Sequence, residues 1–249
     1  MTSQFRAAVH QLAHLPDARL SEPWEWRGRV GDVRDALYVS LQEEQVALAH
    51  ARPPHTEAER ILILAERARG DLSGLLVGLD DTLLDADPGD GEWPLREVLA
   101  HILRTERLYV AHVRYALARA DSDPVRKEVD VQLSDSDRDG GIDAFLERLE
   151  VSDGRRFADI DASALERPTV WAGFDVDVRF RLHRFAAYIV EHTVQCEKVL
   201  SALGHQPTEA ARIVRRLVVM RAAHDARSAP DLLNSLDAQY AQRAADVAL

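Results

Sequence analysis

The sequence predicts an all-α fold, an antiparallel helical bundle with additional flanking helices, and three observations carry that expectation. Apolar residues recur at three- and four-residue intervals through most of the chain, the spacing that lines one face of a helix. Two distant stretches of this kind, 93–109 and 182–204, each set one histidine, His101 or His192, on or beside the apolar stripe. Hydrophobic residues make up 46% and charged residues 29% of the 249 positions, ordinary globular usage that supports a substantial core. One helical domain over 1–249 is expected, with its bundle core at about 23–220 and a last helix at about 230–245.

The elements follow in order. From Gly31 to Ala49, Val33, Ala36, Leu37, Leu41, Val46 and Leu48 mark an amphipathic helix. Thr56 and Glu59 form a capping-box-like start for a long helix through Ile61, Leu64, Ala65, Ala68, Leu72, Leu75 and Leu76. Gly70, Gly74 and Gly78 should weaken it locally, each by roughly 1 kcal/mol relative to Ala. Residues 85–94 read as a loop by their Pro, Gly and Asp content. Pro94 then opens a helix to about Arg119, at the place where a missing N–H costs nothing. The polar span 121–141 is a connection, either a plain crossover or a lid over a site.

A short helix is expected from Ile142 to Leu149. The alternation through 169–182, rich in Val and Phe, suits a short β-hairpin or a lead into the next helix equally. Helices resume from about Arg181 to Leu203, ended by Gly204, and from Thr208 to Ala223 after Pro207. Ala229-Pro230 opens the last one. No internal repeat is evident.

The net charge of −11 repels a phosphate backbone and no Lys/Arg tract offsets it, so a nucleic-acid partner is excluded. The N-terminal residues lack a long apolar core and no stretch approaches the ~20 apolar residues of a membrane span. Cys196 is the single cysteine, which rules out an intrachain disulfide and a Cys-rich zinc module. A cytoplasmic protein without a membrane partner is expected.

Helical geometry sorts the ten histidines. His101 and His112 face similarly but lie roughly 16 Å apart along one axis, and His183 and His192 fall on opposite faces, so neither pair shares an ion. His10, His14, His50, His55, His205 and His224 lie near loops or helix ends and read as surface residues. His192 is different, because it continues the stripe Phe185, Ile189, Cys196, Val199 and Leu203, where a buried imidazole needs a partner. His101 borders Val98, Leu99, Ile102, Leu108 and Tyr109. Inward side chains of facing helices build metal and ligand sites, so these two are the candidate pair.

The run WPLREVLAH from Trp93 to His101, followed by Thr105, Glu106, Arg107 and Tyr109, resembles a helix of the DinB-like superfamily. That superfamily includes mycothiol-dependent maleylpyruvate isomerases and bacillithiol transferases. The run HRFAAYIVEHTVQCEKVLSALG, from His183 to Gly204, is similar to its later helix, and PWEWRGRVGDVRDALY, from Pro23 to Tyr38, to one subgroup. The resemblance spans about Pro23 to Met220. It implies an antiparallel four-helix bundle with a divalent ion, zinc or nickel, held by three histidines.

Carried over by position, His101 is the first ligand and His192 the last, while the middle place is taken by Tyr188. A neutral phenol is a poor ligand. Three outcomes stand open: Tyr188 binds as a phenolate; Cys196, four residues beyond His192, replaces it as a thiolate; or the ion is lost, or held weakly by two histidines, water and a glutamate such as Glu106 or Glu191. Gln195 and Glu106 would orient the ligands. The resemblance further implies a low-molecular-weight thiol and a small-molecule substrate, hence a transferase or isomerase with a degenerate metal site. The competing expectation is a non-catalytic, stress-related or interaction bundle that has lost the metal. Such a bundle would act as a homodimer, with Trp24 and Trp26 either anchoring contacts or packing onto the bundle.

Overall fold

A computed structural model describes residues 2–127, 131–151 and 154–248, so positions 128–130 of the polar connection lie outside the described residues. Among the described residues the regular structure is helical apart from two β-hairpins. Its elements run α1 (Ser3–Ala13), β1 (Pro23–Trp26), β2 (Arg29–Asp32), α2 (Val33–His50), α3 (Glu57–Leu76) and α4 (Leu95–Ala118). They continue with α5 (Ile142–Val151), α6 (Ala162–Leu165), β3 (Pro168–Trp171), β4 (Phe174–Asp177), α7 (Val178–Ala202), α8 (Glu209–His224) and α9 (Pro230–Ala248). Among the described residues no helix is long and apolar enough to cross a membrane.

The chain divides into two compact units. The first comprises residues 1–53, 69–79 and 205–249, the second 54–68 and 80–204. In the first, α1 packs on α9 and α2 on α8. Its core gathers Phe5, Leu12, Leu37, Leu217 and Tyr240. Trp24 is buried and donates Nε1–H to Asp246 at 2.8 Å while stacking on Trp26, so both indoles pack within this unit. In the second, α4 packs on α7. The core there includes Ile61, Tyr109, Val113, Leu182 and Phe185.

Both hairpins turn through two residues of positive φ, Arg27 and Gly28 in one and Ala172 and Gly173 in the other. Turns of that handedness match the twist of the flanking strands. The alternation at 169–182 therefore ends in a hairpin, and α7 starts at Val178, three residues earlier than the periodicity places it. The first hairpin and α1 were not legible from apolar spacing, and Gly31 belongs to β2 rather than to a helix.

The hairpins also expose a repeat that reading along the chain misses. Pro23 to Arg34 reads PWEWRGRVGDVR and Pro168 to Arg179 reads PTVWAGFDVDVR; Thr56 to Ile61 reads TEAERI and Thr208 to Ile213 reads TEAARI. Each hairpin ends in an aspartate that caps the next helix, Asp32 accepting from Asp35 N–H and Asp177 from Phe180 N–H. The arginine two residues on then bonds the glutamate that opens the Thr-Glu-Ala helix, Arg34 to Glu209 and Arg179 to Glu57, each at 2.6 Å. The two units share these parts in permuted order, the hairpin coming first in one and last in the other.

Candidate functional site

In the second unit, α4 and α7 bring the expected pair together. The His101 and His192 rings lie 5.0 Å apart between centroids, at 80°. Both are half-buried. Trp93, 47% exposed just before the helix, meets His101 edge-on at 5.3 Å and flanks it on the solvent side. The approach follows from the sequence: Pro94 starts α4, and Leu95, Val98, Leu99, Ile102 and Leu103 bury one face of it completely or nearly so.

Three further side chains shape the pair. Nδ1–H of His192 donates to Oε1 of Gln195 at 2.7 Å, which leaves the lone pair on Nε2. Tyr188 packs against His192 at 4.3 Å and His101 at 5.9 Å, ring to ring, and donates its hydroxyl to Oγ1 of Thr105 at 2.7 Å. Tyr109 closes the inner side at 5.5 Å from Tyr188. Thr105 stood in the sequence only as part of the family resemblance and not as a site residue, although its spacing of four residues from His101 puts it one turn along the same face.

Electrostatics favour the neutral forms of His101 and Tyr188. Burial lowers the His101 pKa below its ordinary value, and the charges of His192 and Arg104 push the same way. Burial raises the Tyr188 hydroxyl well above the usual phenol range, outweighing the Thr105 hydrogen bond, and the negative charge of Glu106 adds to the rise. A phenolate ligand is correspondingly disfavoured. Cys196 is fully buried and burial pushes its thiol up to about 12, so it fits a small core residue better than a thiolate ligand. Glu106 is fully buried in α4. Glu191 is exposed and bonded through both carboxylate oxygens to Arg184, at 3.1 and 3.2 Å.

The donor set thus fits two thirds of a three-ligand metal site. Two imidazoles converge from facing helices, with the protonated phenol of Tyr188 packed beside them. Among the described residues no group of three His, Cys, Asp or Glu side chains could hold an ion. Of the histidines read as surface residues, His224 is the exception. It is buried in the first unit, where Nε2–H donates to Glu44 at 2.6 Å.

The model of the DinB superfamily matches residues 64–195, which include both His101 and His192. Among solved structures, the chain is similar to YfiT from Bacillus subtilis, described as a probable metal-dependent hydrolase with an unusual four-helix bundle topology. The likeness has a TM-score of 0.50 at 14% identity, covering 62% of this chain and 94% of that one, and concerns the fold. No curated protein matches the chain.

Proposed function

The chain belongs to the DinB superfamily, and on that premise we propose that His101 and His192 form an open two-imidazole centre that takes a divalent cation and acts on a small-molecule substrate. The observation that carries this reading is the 5.0 Å approach of two rings from segments 91 residues apart (192 − 101), one of them held in a single tautomer by Gln195. Second-sphere partners of this kind are what fix a ligating imidazole.

A bound divalent ion would polarise a carbonyl or lower the pKa of a water or thiol toward neutrality. The chain's own residues do the rest. His101 and His192 would bind; Gln195 holds the His192 lone pair on Nε2; Tyr188 supplies a hydroxyl proton beside the centre, now given to Thr105. Trp93 and Tyr109 enclose the pair from outside and inside. Two protein ligands leave more open positions than three, which suits an exchangeable ion and a substrate that completes the shell. A thiol-dependent transfer or isomerisation, with zinc or nickel as the ion, is the finer form of this proposal.

A second reading, a non-catalytic bundle, is favoured by Tyr188, because its neutral hydroxyl stands where a third imidazole would bind the ion. Metal content decides between them. Protein purified without chelator or histidine tag, then equilibrated with zinc, should bind about one equivalent with modest affinity. His101→Ala and His192→Ala should each abolish that binding while leaving the circular dichroism unchanged. Binding that survives both substitutions, or no binding by the unaltered chain, favours the non-catalytic bundle.

A further inference from the structure

A chain of net charge −11 gathers four arginines around one cavity of about 520 Å³ in the second unit. Arg107, Arg114, Arg148 and Arg156 share its walls with Val110 and Ala144, and among the described residues Glu147 is the one acidic side chain lining it. The lining is built by register. Arg107, Val110 and Arg114 follow one another at three- and four-residue steps on α4, and Ala144 and Arg148 do so on α5, so one stripe of each helix faces the cavity. His101 lies six residues before Arg107, which rotates it by about 240° on the same helix, toward α7 and away from this stripe. The cavity is therefore separate from the histidine centre.

Its charges are not all neutralised from within. Arg107 is tied bidentately to Asp137 at 2.7 and 2.8 Å, and this pairing holds that carboxyl well below the usual range. Arg148 donates one N–H from each Nη to the carbonyl oxygens of Asp137 and Asp139, which carry no charge to offset its own and leave its remaining N–H groups for a ligand. Arg114 is exposed and makes no ion pair with any described residue. Arg114 and Arg148 thus bring to the cavity two positive charges that no described carboxylate pairs. The wall between them is aliphatic, and the volume lies within the range of small-molecule sites, roughly 300–1,000 Å³.

We propose that the cavity between α4 and α5 binds a small organic anion, its phosphate or carboxylate head received by Arg114 and Arg148 and its apolar body lying on Val110 and Ala144. A guanidinium presents paired N–H donors to such a head, and a recess lined by arginines concentrates the positive potential that draws an anion in. The proposal stands apart from the histidine centre, so failure of one leaves the other intact.

The test is calorimetric titration of the full chain with phenyl phosphate and with phenylacetate, using inorganic phosphate as the head alone and benzyl alcohol as the body alone. Saturable binding of at least one aromatic anion is expected, tighter than either control and weakened by salt; the tighter of the two identifies the head group. Arg114→Glu, at an exposed position, should weaken it by about tenfold or more, the loss of a charged hydrogen bond. Arg114→Gln should weaken it less, and His101→Ala should leave it unchanged. The proposal is overturned if neither anion saturates, if a control binds as tightly, if Arg114→Glu binds like the unaltered chain, or if His101→Ala removes binding.

Discussion

Tyr188 decides what the proposed centre can be, because its hydroxyl, protonated and donated to Thr105, takes the position that the family resemblance gives to a third imidazole. The pair beside it was legible in the sequence, since two histidines on apolar stripes need partners. Its neighbours Thr105 and Tyr109 matter only once α4 is known to face α7. His224 was misread for a related reason: its partner Glu44 lies 180 residues away, and nothing local reports it. Burial, with the charge of Arg181 assisting, lowers His112 to about 4. Between there and the unfolded value of about 6.5 the unfolded chain binds the extra proton, so stability falls as pH drops through that window and is flat for this group above it. Chemical denaturation should show a loss of roughly 1–2 kcal/mol from pH 7 to 4.5 that His112→Asn reduces.

At the scale of the element, α3 shows what helical periodicity hides. Its glycines read as local weaknesses, yet Gly70 and Gly74 are where α8 comes closest. A Cβ on Gly70 would lie 2.6 Å from Ala222 Cβ, and one on Gly74 2.8 Å from the Cα of Arg215. Backbone cannot give way there as a side-chain tip could. Gly74→Ala should accordingly destabilise by about 1–3 kcal/mol in a denaturant melt, despite the ~1 kcal/mol that alanine gains in helix propensity. A stabilised variant would show that α3 and α8 are less close than described. The hairpins were half legible. Valine and phenylalanine alternation marked the second, whereas the first, four residues per strand beside a strongly periodic helix, carries too little pattern to stand out.

At the scale of the whole molecule, the all-α class and the family were readable, and the permuted repeat was not, because its matching segments are short and come in different order. Aligned on the shared hairpin, Tyr188 and His192 fall opposite Glu43 and Ala47, so the first unit carries no counterpart of the histidine centre. Glu43 is instead bonded bidentately to the buried Arg243, at 2.9 Å. Beside it, fully buried Arg221 joins Glu44 at 2.8 Å and Asp237 at 2.7 Å, and lies over the Phe5 ring. Burial opposes the Glu44 charge, but hydrogen bonds from His224 and Arg221 outweigh it and hold its pKa low. Glu44→Ala should cost about 3–5 kcal/mol, by leaving Arg221 undercompensated in the interior. A change in melting within the range of a surface substitution would contradict that assignment.

In the proposed centre, His101, Tyr188 and His192 keep the ligand geometry of the superfamily around an open position. Zinc titration of Tyr188→His beside the unaltered chain tests that directly, since it restores a third imidazole without touching the other two. Affinity should rise on the order of a hundredfold, and His101→Ala in the same background should remove the gain. Equal affinity in Tyr188→His and the unaltered chain would mean that the three side chains do not converge on a common ion.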